Sequence, residues 1–173
     1  MSALLKTIQR KDSDILFLFN NNIKCRALDF IMPCITYLGS FTFCATLCLI
    51  CFFVPSHIIR GLTLKTAASL IIATITAHFI KVTVNRIRPF LTLTNLNIRK
   101  IGIDNYSFPS GHTTSAFCIA IMFSLYFPVI TPILITLACG VGISRMYLGV
   151  HYPTDVLVGM FLGTICSYGV FFI

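Results

Sequence analysis

Long apolar stretches alternate with short polar segments along this chain, and the apolar stretches are long enough to cross a lipid bilayer. A helix needs about 20 mostly apolar residues to span the hydrocarbon core. No charged residue lies between Phe30 and Ser56, so this stretch predicts a first membrane span. Four further spans are predicted at about 61–84, 109–127, 131–149 and 155–173.

The division between the third and fourth spans depends on two prolines. Residues 113–144 carry no charge, and this stretch is too long for one span and short for two. Pro128 and Pro132 bracket a tight turn inside it, because proline is a strong turn signal. We therefore place the end of one helix and the start of the next at this turn.

The N-terminal segment is too short and too polar to form another span. Between Asp14 and Arg26 an apolar run, 15–19, is followed by three asparagines and Lys24. This pattern predicts an interfacial helix. The expected architecture is an all-α, polytopic membrane helix bundle of five transmembrane helices. It forms a single membrane-embedded domain, 1–173, with an interfacial segment at 1–27.

Composition places the chain in the membrane class. Hydrophobic residues make up 57% of it and charged residues 10%, against about 45–50% and about 25% in soluble domains. The net charge of +8 would suggest nucleic acid in a soluble protein, but this chain has no soluble face for such a site. We therefore expect anionic lipid and the bilayer as partners, and no nucleic acid. The oligomeric state is not defined by the sequence.

The eight cysteines fall mostly inside apolar runs. Cys44, Cys48 and Cys51 could share one helix face, which permits either a soft-metal site or ordinary packing. We favour packing, since a free cysteine behaves as a small, polarizable apolar side chain. No metal-ligand spacing is present, and we expect neither a metal nor a cofactor.

Polar residues concentrate at three places, each at one end of an apolar stretch. Ionisable groups near the membrane are costly and are therefore functional candidates. By the predicted spans, all three places lie at the same membrane face. They are Lys81, Arg88 and Pro89; Pro109, Ser110, Gly111 and His112; and Ser144, Arg145, His151 and Asp155.

The second group has the features of an anion site at a helix start. Pro109 suits the first turn of a helix, and the N–H groups of Ser110, Gly111 and His112 would then point at a ligand. Gly111 permits close approach of a ligand oxygen. A simple helix start without a ligand is the alternative.

The third group contains an imidazole that a carboxylate can orient. His151 and Asp155 are four residues apart, so Asp155 can reach one ring nitrogen and leave the other as a nucleophile. A histidine satisfied by packing is the alternative.

In the first group, Lys81 and Arg88 would share a helix face if that helix continued to Pro89. There they would either stabilise a phosphoryl group or snorkel at the membrane edge.

Together these residues resemble the three motifs of the type 2 phosphatidic acid phosphatase family, K-x6-R-P, P-S-G-H and S-R-x5-H-x3-D. All eleven specified positions are filled at the right separations. The family also includes bacterial lipid phosphatases and vanadium haloperoxidases. The latter are usually soluble, whereas this chain has the pattern of a membrane protein.

The resemblance implies a two-step phosphatase mechanism. His151 attacks phosphorus and forms a phosphohistidine, while Asp155 holds its ring. His112 protonates the leaving oxygen and then deprotonates the water that releases phosphate. The remaining roles are phosphate binding by Lys81, Arg88, Ser110, Gly111 and Arg145, and support by Pro109 and Ser144.

The substrate stays open among phosphatidic acid, phosphatidylglycerol phosphate and undecaprenyl diphosphate. Five spans resemble the compact polyprenyl-diphosphate phosphatases of bacteria, but those enzymes often carry Asp where this chain has Gly111. Arg86 and the pair Arg99 and Lys100 would form either a grip for a second phosphate or a solvated basic edge.

Two questions about class and orientation follow. A non-catalytic anion or phospholipid transporter would use the same basic pocket, but it would need no nucleophile such as His151.

The resemblance implies a site at the extracytoplasmic face of the cell membrane, whereas the positive-inside rule favours the opposite orientation. We adopt the extracytoplasmic face, because the cations at the site have a catalytic reason to be there.

Overall fold

The computed structural model describes residues 3–98 and 106–173, and the regular elements in this part of the chain are helices. The only extended pairing there is an isolated antiparallel bridge between Ile87 and Tyr106. This confirms the predicted all-α class. The helices are α1 (Ala3–Phe17), α2 (Arg26–Tyr37), α3 (Phe41–Phe52), α4 (His57–Val84), α5 (Pro89–Thr92), α6 (Gly111–Tyr126), α7 (Thr131–Tyr147) and α8 (Pro153–Phe171).

Three of the described helices are long and apolar enough to cross a membrane. They are α4, α8 and the segment Pro128–Tyr147, in which a short 3₁₀ turn precedes α7. The bent pair α2 and α3 makes a fourth crossing if it is counted as one span. Helix α6 has 16 residues. The count of five spans therefore stays a prediction.

The first predicted span is not one continuous helix. α2 and α3 meet at an angle of 54°, because Ser40 adopts an extended backbone and its hydroxyl accepts the N–H of Phe43 at 3.2 Å. This is an N-cap, which starts a new helix. Gly39 lies directly against the carbonyl of His112, where a Cβ would collide with that oxygen. The break thus brings the α2–α3 corner onto the first turn of α6.

Helix α6 lies at the centre of the bundle and packs against α4, α7 and α8. On α8, Gly159 and Gly163 are four residues apart, and a Cβ at either would press into the α6 backbone. Small residues at this spacing let two membrane helices approach closely. The close approach places the first turn of α8 beside the first turn of α6.

The two ends of the bundle are distinct. At one end the backbone N–H of Ser110, before α6, donates to the carbonyl of Asp155 in α8 at 3.0 Å. At the other end Lys65 Nζ, in the first half of α4, donates to the carbonyl of Phe171 at 2.6 Å. Helices α4, α6, α7 and α8 therefore alternate in direction, and the three polar groups share one end.

The N-terminal helix differs from the prediction in its bounds. A helix was expected between Asp14 and Arg26, but α1 covers Ala3–Phe17 and a π-helical turn follows at Leu18–Asn22. Leu16 and Asn20 are completely buried. The segment therefore packs against the rest of the protein. Its position at a membrane interface stays a prediction.

Candidate active site

The structure brings the three polar groups of the sequence into contact. Arg88 Nη1 lies 3.2 Å from Nε2 of His151, which joins the first group to the third. The hydrogen bond from Ser110 to the carbonyl of Asp155 joins the second group to the third. Arg86 and Asp155, 69 positions apart in sequence, are also hydrogen-bonded at this end of the bundle.

Lys81 and Arg88 do not share a helix face, which corrects the prediction. Helix α4 ends at Val84, and Asn85 follows in the left-handed conformation with a φ of 49°. The chain then turns, and Arg88 becomes the N-cap residue of α5. Its buried guanidinium donates to the carbonyl of Val150 at 3.0 Å. Chain reversal, and not helical periodicity, therefore places Arg88 at the site.

The start of α6 also differs in detail from the prediction. The helix begins at Gly111, with Ser110 as its N-cap, so Pro109 precedes the helix. The N–H of Ser110 is bonded to Asp155 and does not point at a ligand. Gly111 has open space where a Cβ would stand, with nothing within 4 Å, which agrees with close approach of a ligand.

His151 lies in the loop 148–152 between α7 and α8, hereafter the His151 loop. A guanidinium can only donate, so the contact with Arg88 makes Nε2 the acceptor and places the ring proton on Nδ1. Nδ1 faces Oδ2 of Asp155 at 3.6 Å, an ion-pair distance that is longer than a hydrogen bond. Asp155 thus faces one ring nitrogen, as the spacing predicted, but does not form a hydrogen bond with it.

The environment of His151 keeps the imidazole neutral. Its side chain is buried, and burial lowers the pKa of His151 from 6.5 to about 4. The charges of Arg145 and Arg88 act in the same direction, and Asp155 opposes them. At neutral pH the ring is therefore uncharged, as a nucleophile must be.

Arg145 is held by a residue that the motifs did not indicate. Its Nη1 donates to Oγ1 of Thr36, in α2, at 3.1 Å, and both side chains are buried. Ser144 was expected to support Arg145, but its hydroxyl donates to the carbonyl of Val141 at 2.6 Å. Thr36 therefore takes the contact expected of Ser144. No sequence signal distinguishes this threonine from others in apolar stretches.

Arg86 forms neither a solvated edge nor a grip for a second phosphate. Its Nη1 donates to Oδ1 of Asp155 at 2.8 Å, and its Nη2 donates to Oδ2 of Asp12 at 2.6 Å. The guanidinium lies over the ring of Tyr152, 4.0 Å from the centroid. The prediction for Arg86 is therefore wrong. The neighbouring pair Arg99 and Lys100 lies outside the described residues.

An apolar groove of about 570 Å³ opens between α3, α4 and α6 and ends at the site. Lys81, Gly111 and His112 line its head. The ring of His112 is close enough to Lys81, Arg88, Arg145 and His151 to interact electrostatically with them. Hydrocarbon side chains form most of the wall, including Phe41, Leu70, Ile71 and Ile75. The site thus combines a cationic head with a hydrocarbon channel.

The cysteine row of α3 contributes to this groove. Cys44 and Cys48 line it, and all eight thiols are unpaired by disulfides. Within residues 3–98 and 106–173, no cluster of three or more His, Cys, Asp or Glu side chains could hold a metal ion. Cys44 and Cys48 therefore serve as wall residues, in line with the packing interpretation.

Fold and site together define the class of protein. Residues 62–173 match the family model of the PAP2 superfamily, so the chain belongs to that superfamily. The crystal structure of LpxE from Aquifex aeolicus superposes with a TM-score of 0.83 at 29% identity, covering 92% of this chain and 94% of that one. The transmembrane PAP2-type phosphatidylglycerolphosphate phosphatase from Bacillus subtilis gives a TM-score of 0.74 at 26% identity, over 98% of this chain and 85% of that one. With its apolar helices, the chain is a membrane protein.

Relatives with similar sequences carry several different names. The bacitracin transport permease protein BcrC of Bacillus licheniformis is 44% identical over 85 residues, which is 49% of this chain and 41% of that protein. The undecaprenyl-diphosphatase of Sulfolobus acidocaldarius is 32% identical over 110 residues, 63% of this chain and 53% of that protein. The chain thus spans about half the length of these relatives, or less.

Proposed function

We propose that this protein is a membrane lipid phosphatase that hydrolyses the terminal phosphate of a phospholipid or polyprenyl diphosphate. One observation carries the proposal. A neutral, buried imidazole, His151, directs Nε2 toward Arg88 at the head of a site whose lining continues into a hydrocarbon groove. The site can therefore hold a phosphate at a nucleophile while the attached lipid chain stays in an apolar channel.

The proposed reaction uses the roles that the family resemblance implies for these residues. Nε2 of His151 attacks phosphorus, an N–P bond forms, and the bond from phosphorus to the leaving oxygen breaks. His112 gives its proton to that oxygen, then takes a proton from water as the water attacks the phosphohistidine. The products are the dephosphorylated lipid (an alcohol, or the lipid monophosphate from a diphosphate), phosphate and the free imidazole. Lys81, Arg88 and Arg145, with the Gly111 N–H, stabilise charge on the phosphoryl oxygens.

The direct test is phosphate release by the purified protein in detergent. The substrates are phosphatidic acid, phosphatidylglycerol phosphate and undecaprenyl diphosphate, each with a His151→Ala control. Release from at least one, absent in the variant, is the expected result. No release from any of the three would count against the proposal.

His78 offers a way to separate diphosphates from monophosphates. It lies one turn before Lys81 on α4 and lines the groove below the head. When the terminal phosphate of a diphosphate occupies the site, the lipid-side phosphate extends into this part of the groove. We expect His78→Leu to lower kcat/KM for undecaprenyl diphosphate about tenfold, the effect of one lost hydrogen bond to a charged group.

The same substitution should leave phosphatidic acid hydrolysis within about twofold, because that lipid has no second phosphate. The control is His57→Leu, an exposed histidine at the first residue of α4. Equal losses on both lipids would contradict a specific role for His78.

The orientation in the membrane is tested at Cys25. This exposed cysteine lies at the site end of the bundle, where its carbonyl accepts the hydroxyl of Tyr147 at 3.4 Å. If the site faces outward, an impermeant thiol reagent should label Cys25 in intact cells, and the signal should disappear in Cys25→Ser. Protection in intact cells with labelling in opened membranes would place the site at the cytoplasmic face.

Transport of an anion or a phospholipid is the alternative function. The name of BcrC refers to transport, and a basic pocket beside an apolar groove is compatible with transport. Transport does not require a nucleophile, however, and a neutral His151 between Arg88 and Asp155 has no evident purpose in it. If cells that carry His151→Ala behave like cells that carry the wild-type protein, the result would favour transport.

A further inference from the structure

The N-terminal segment, defined as α1 with the turn Leu18–Asn22, precedes the residues matched by the family model, 62–173. It nevertheless contacts the residues on both sides of the His151 loop. Before the loop, Nδ2 of Asn20 donates to the carbonyl of Tyr147 at 2.7 Å. After the loop, Oδ1 of Asp12 accepts the N–H of Thr154 at 3.1 Å. The hydroxyl of Thr154 also donates to Asp12.

Asp12 reaches the site itself through Arg86. The guanidinium donates one N–H to Asp12 at 2.6 Å and another to Asp155 at 2.8 Å. Asp12 is 3% exposed and Asp155 is 0% exposed, so two buried carboxylates share one cation. Removing one partner of such a group leaves an uncompensated buried charge. The three side chains are therefore strongly coupled.

Arg86 constrains how Asp155 presents its carboxylate. Oδ1 of Asp155 accepts from Arg86, while Oδ2 accepts the N–H of Tyr152 at 2.8 Å and faces Nδ1 of His151. Both oxygens are thus held, and the carboxylate plane is set. Asp12 in turn holds the guanidinium in the position where it meets Oδ1.

We infer that Asp12 is a positioning residue for the reaction: through Arg86 it orients Asp155, and through Asp155 it orients the ring of His151. The inference depends on the proposed function, since it assigns to α1 a part in setting the nucleophile. It concerns a segment whose predicted role was only to lie at a membrane interface. Asp12 touches no reacting atom.

The test compares two aspartates of α1. Asp12→Asn keeps the size and one oxygen acceptor but removes the charge facing Arg86. We expect kcat to fall about tenfold, the lower end of the losses seen when residues that orient metal-bound histidines are removed, with KM within about twofold. Asp14→Asn, at an exposed position two residues away, should leave both constants unchanged. If Asp12→Asn behaves like Asp14→Asn, the inference is wrong.

A double-mutant cycle separates positioning from general stability. Arg86→Ala should lower kcat more than Asp12→Asn, and Arg86→Lys should restore part of the loss. In the Arg86→Ala background, Asp12→Asn should have a much smaller effect on kcat, because the route through Arg86 is gone and only the hydrogen bonds of Asp12 to Thr154 remain. Additive effects of the two substitutions on kcat would show independent roles and overturn the inference.

A measurement without turnover keeps the inference separate from the proposed function. The ring ¹⁵N signals of His151, assigned by their loss in His151→Gln, report the tautomer and the environment of both nitrogens. Asp12→Asn should shift them and Asp14→Asn should not. Unchanged His151 signals in Asp12→Asn would overturn the positioning role even if wild-type protein releases phosphate. Absence of phosphate release with shifted signals would count against the proposed function alone.

Discussion

His151→Ala is expected to lower kcat by at least about 1,000-fold on whichever lipid phosphate the protein hydrolyses. Removing a nucleophile eliminates the covalent route, and losses of this size or greater follow in other enzymes that form covalent intermediates. The environment of the ring supports the assignment, because burial lowers its pKa to about 4 and keeps Nε2 unprotonated at neutral pH. Steady-state phosphate release by wild type and variant in detergent measures the effect.

The matched control is His57→Ala, which removes an exposed histidine at the first residue of α4, the end of that helix away from the site. It should retain wild-type kcat and KM. A second readout follows the intermediate directly: rapid quenching of wild type with ³²P-labelled substrate should trap radiolabel on the protein, and His151→Ala should trap none. A variant that keeps more than a few per cent of turnover would exclude His151 as the nucleophile.

The positions of the site residues follow from the sequence because two kinds of information agree. The motif spacings define local pairs such as His151 and Asp155, whose i,i+4 separation survives at the start of α8. The alternation of apolar stretches then brings the end of one helix beside the start of the next. Contacts between Arg88 and His151, 63 residues apart, could therefore be expected without knowledge of side-chain geometry.

Breaks within apolar segments were harder to predict. Gly39 and Ser40 interrupt a stretch that hydropathy treats as continuous, since neither residue is charged and the stretch is long enough to span. Asn85 ends α4 in the left-handed conformation. Asparagine is a recognised residue for this position, and the predicted second span, 61–84, ends directly before it.

The contacts of Asp12 could not be predicted from spacing. Asp12 and Arg86 are 74 residues apart, and a charged residue in a short amphipathic helix is usually solvated at the interface. Only the docking of Leu16 and Asn20, both fully buried, brings Asp12 to the His151 loop. Tertiary packing therefore determines the role of a residue whose local sequence is typical of a surface helix.

His112→Ala is expected to lower kcat about 10²–10⁴-fold on a lipid substrate, the range for loss of a general acid–base. The loss should depend on the leaving group. A lipid alcohol needs a proton as its bond to phosphorus breaks, whereas p-nitrophenolate leaves without one. With p-nitrophenyl phosphate, formation of the phosphohistidine should therefore be much less affected, while hydrolysis of the intermediate still lacks its base.

Because formation and hydrolysis of the phosphohistidine depend differently on His112, His112→Ala should show a specific time course with p-nitrophenyl phosphate. A burst of about one p-nitrophenolate per protein should precede a slow steady state, because the phosphohistidine forms and then persists. Stopped-flow absorbance measures the burst, and His57→Ala should show the wild-type time course. If the burst is absent and both substrates lose activity equally, His112 does not act as the acid and base, and its place at the head of the groove reflects binding instead.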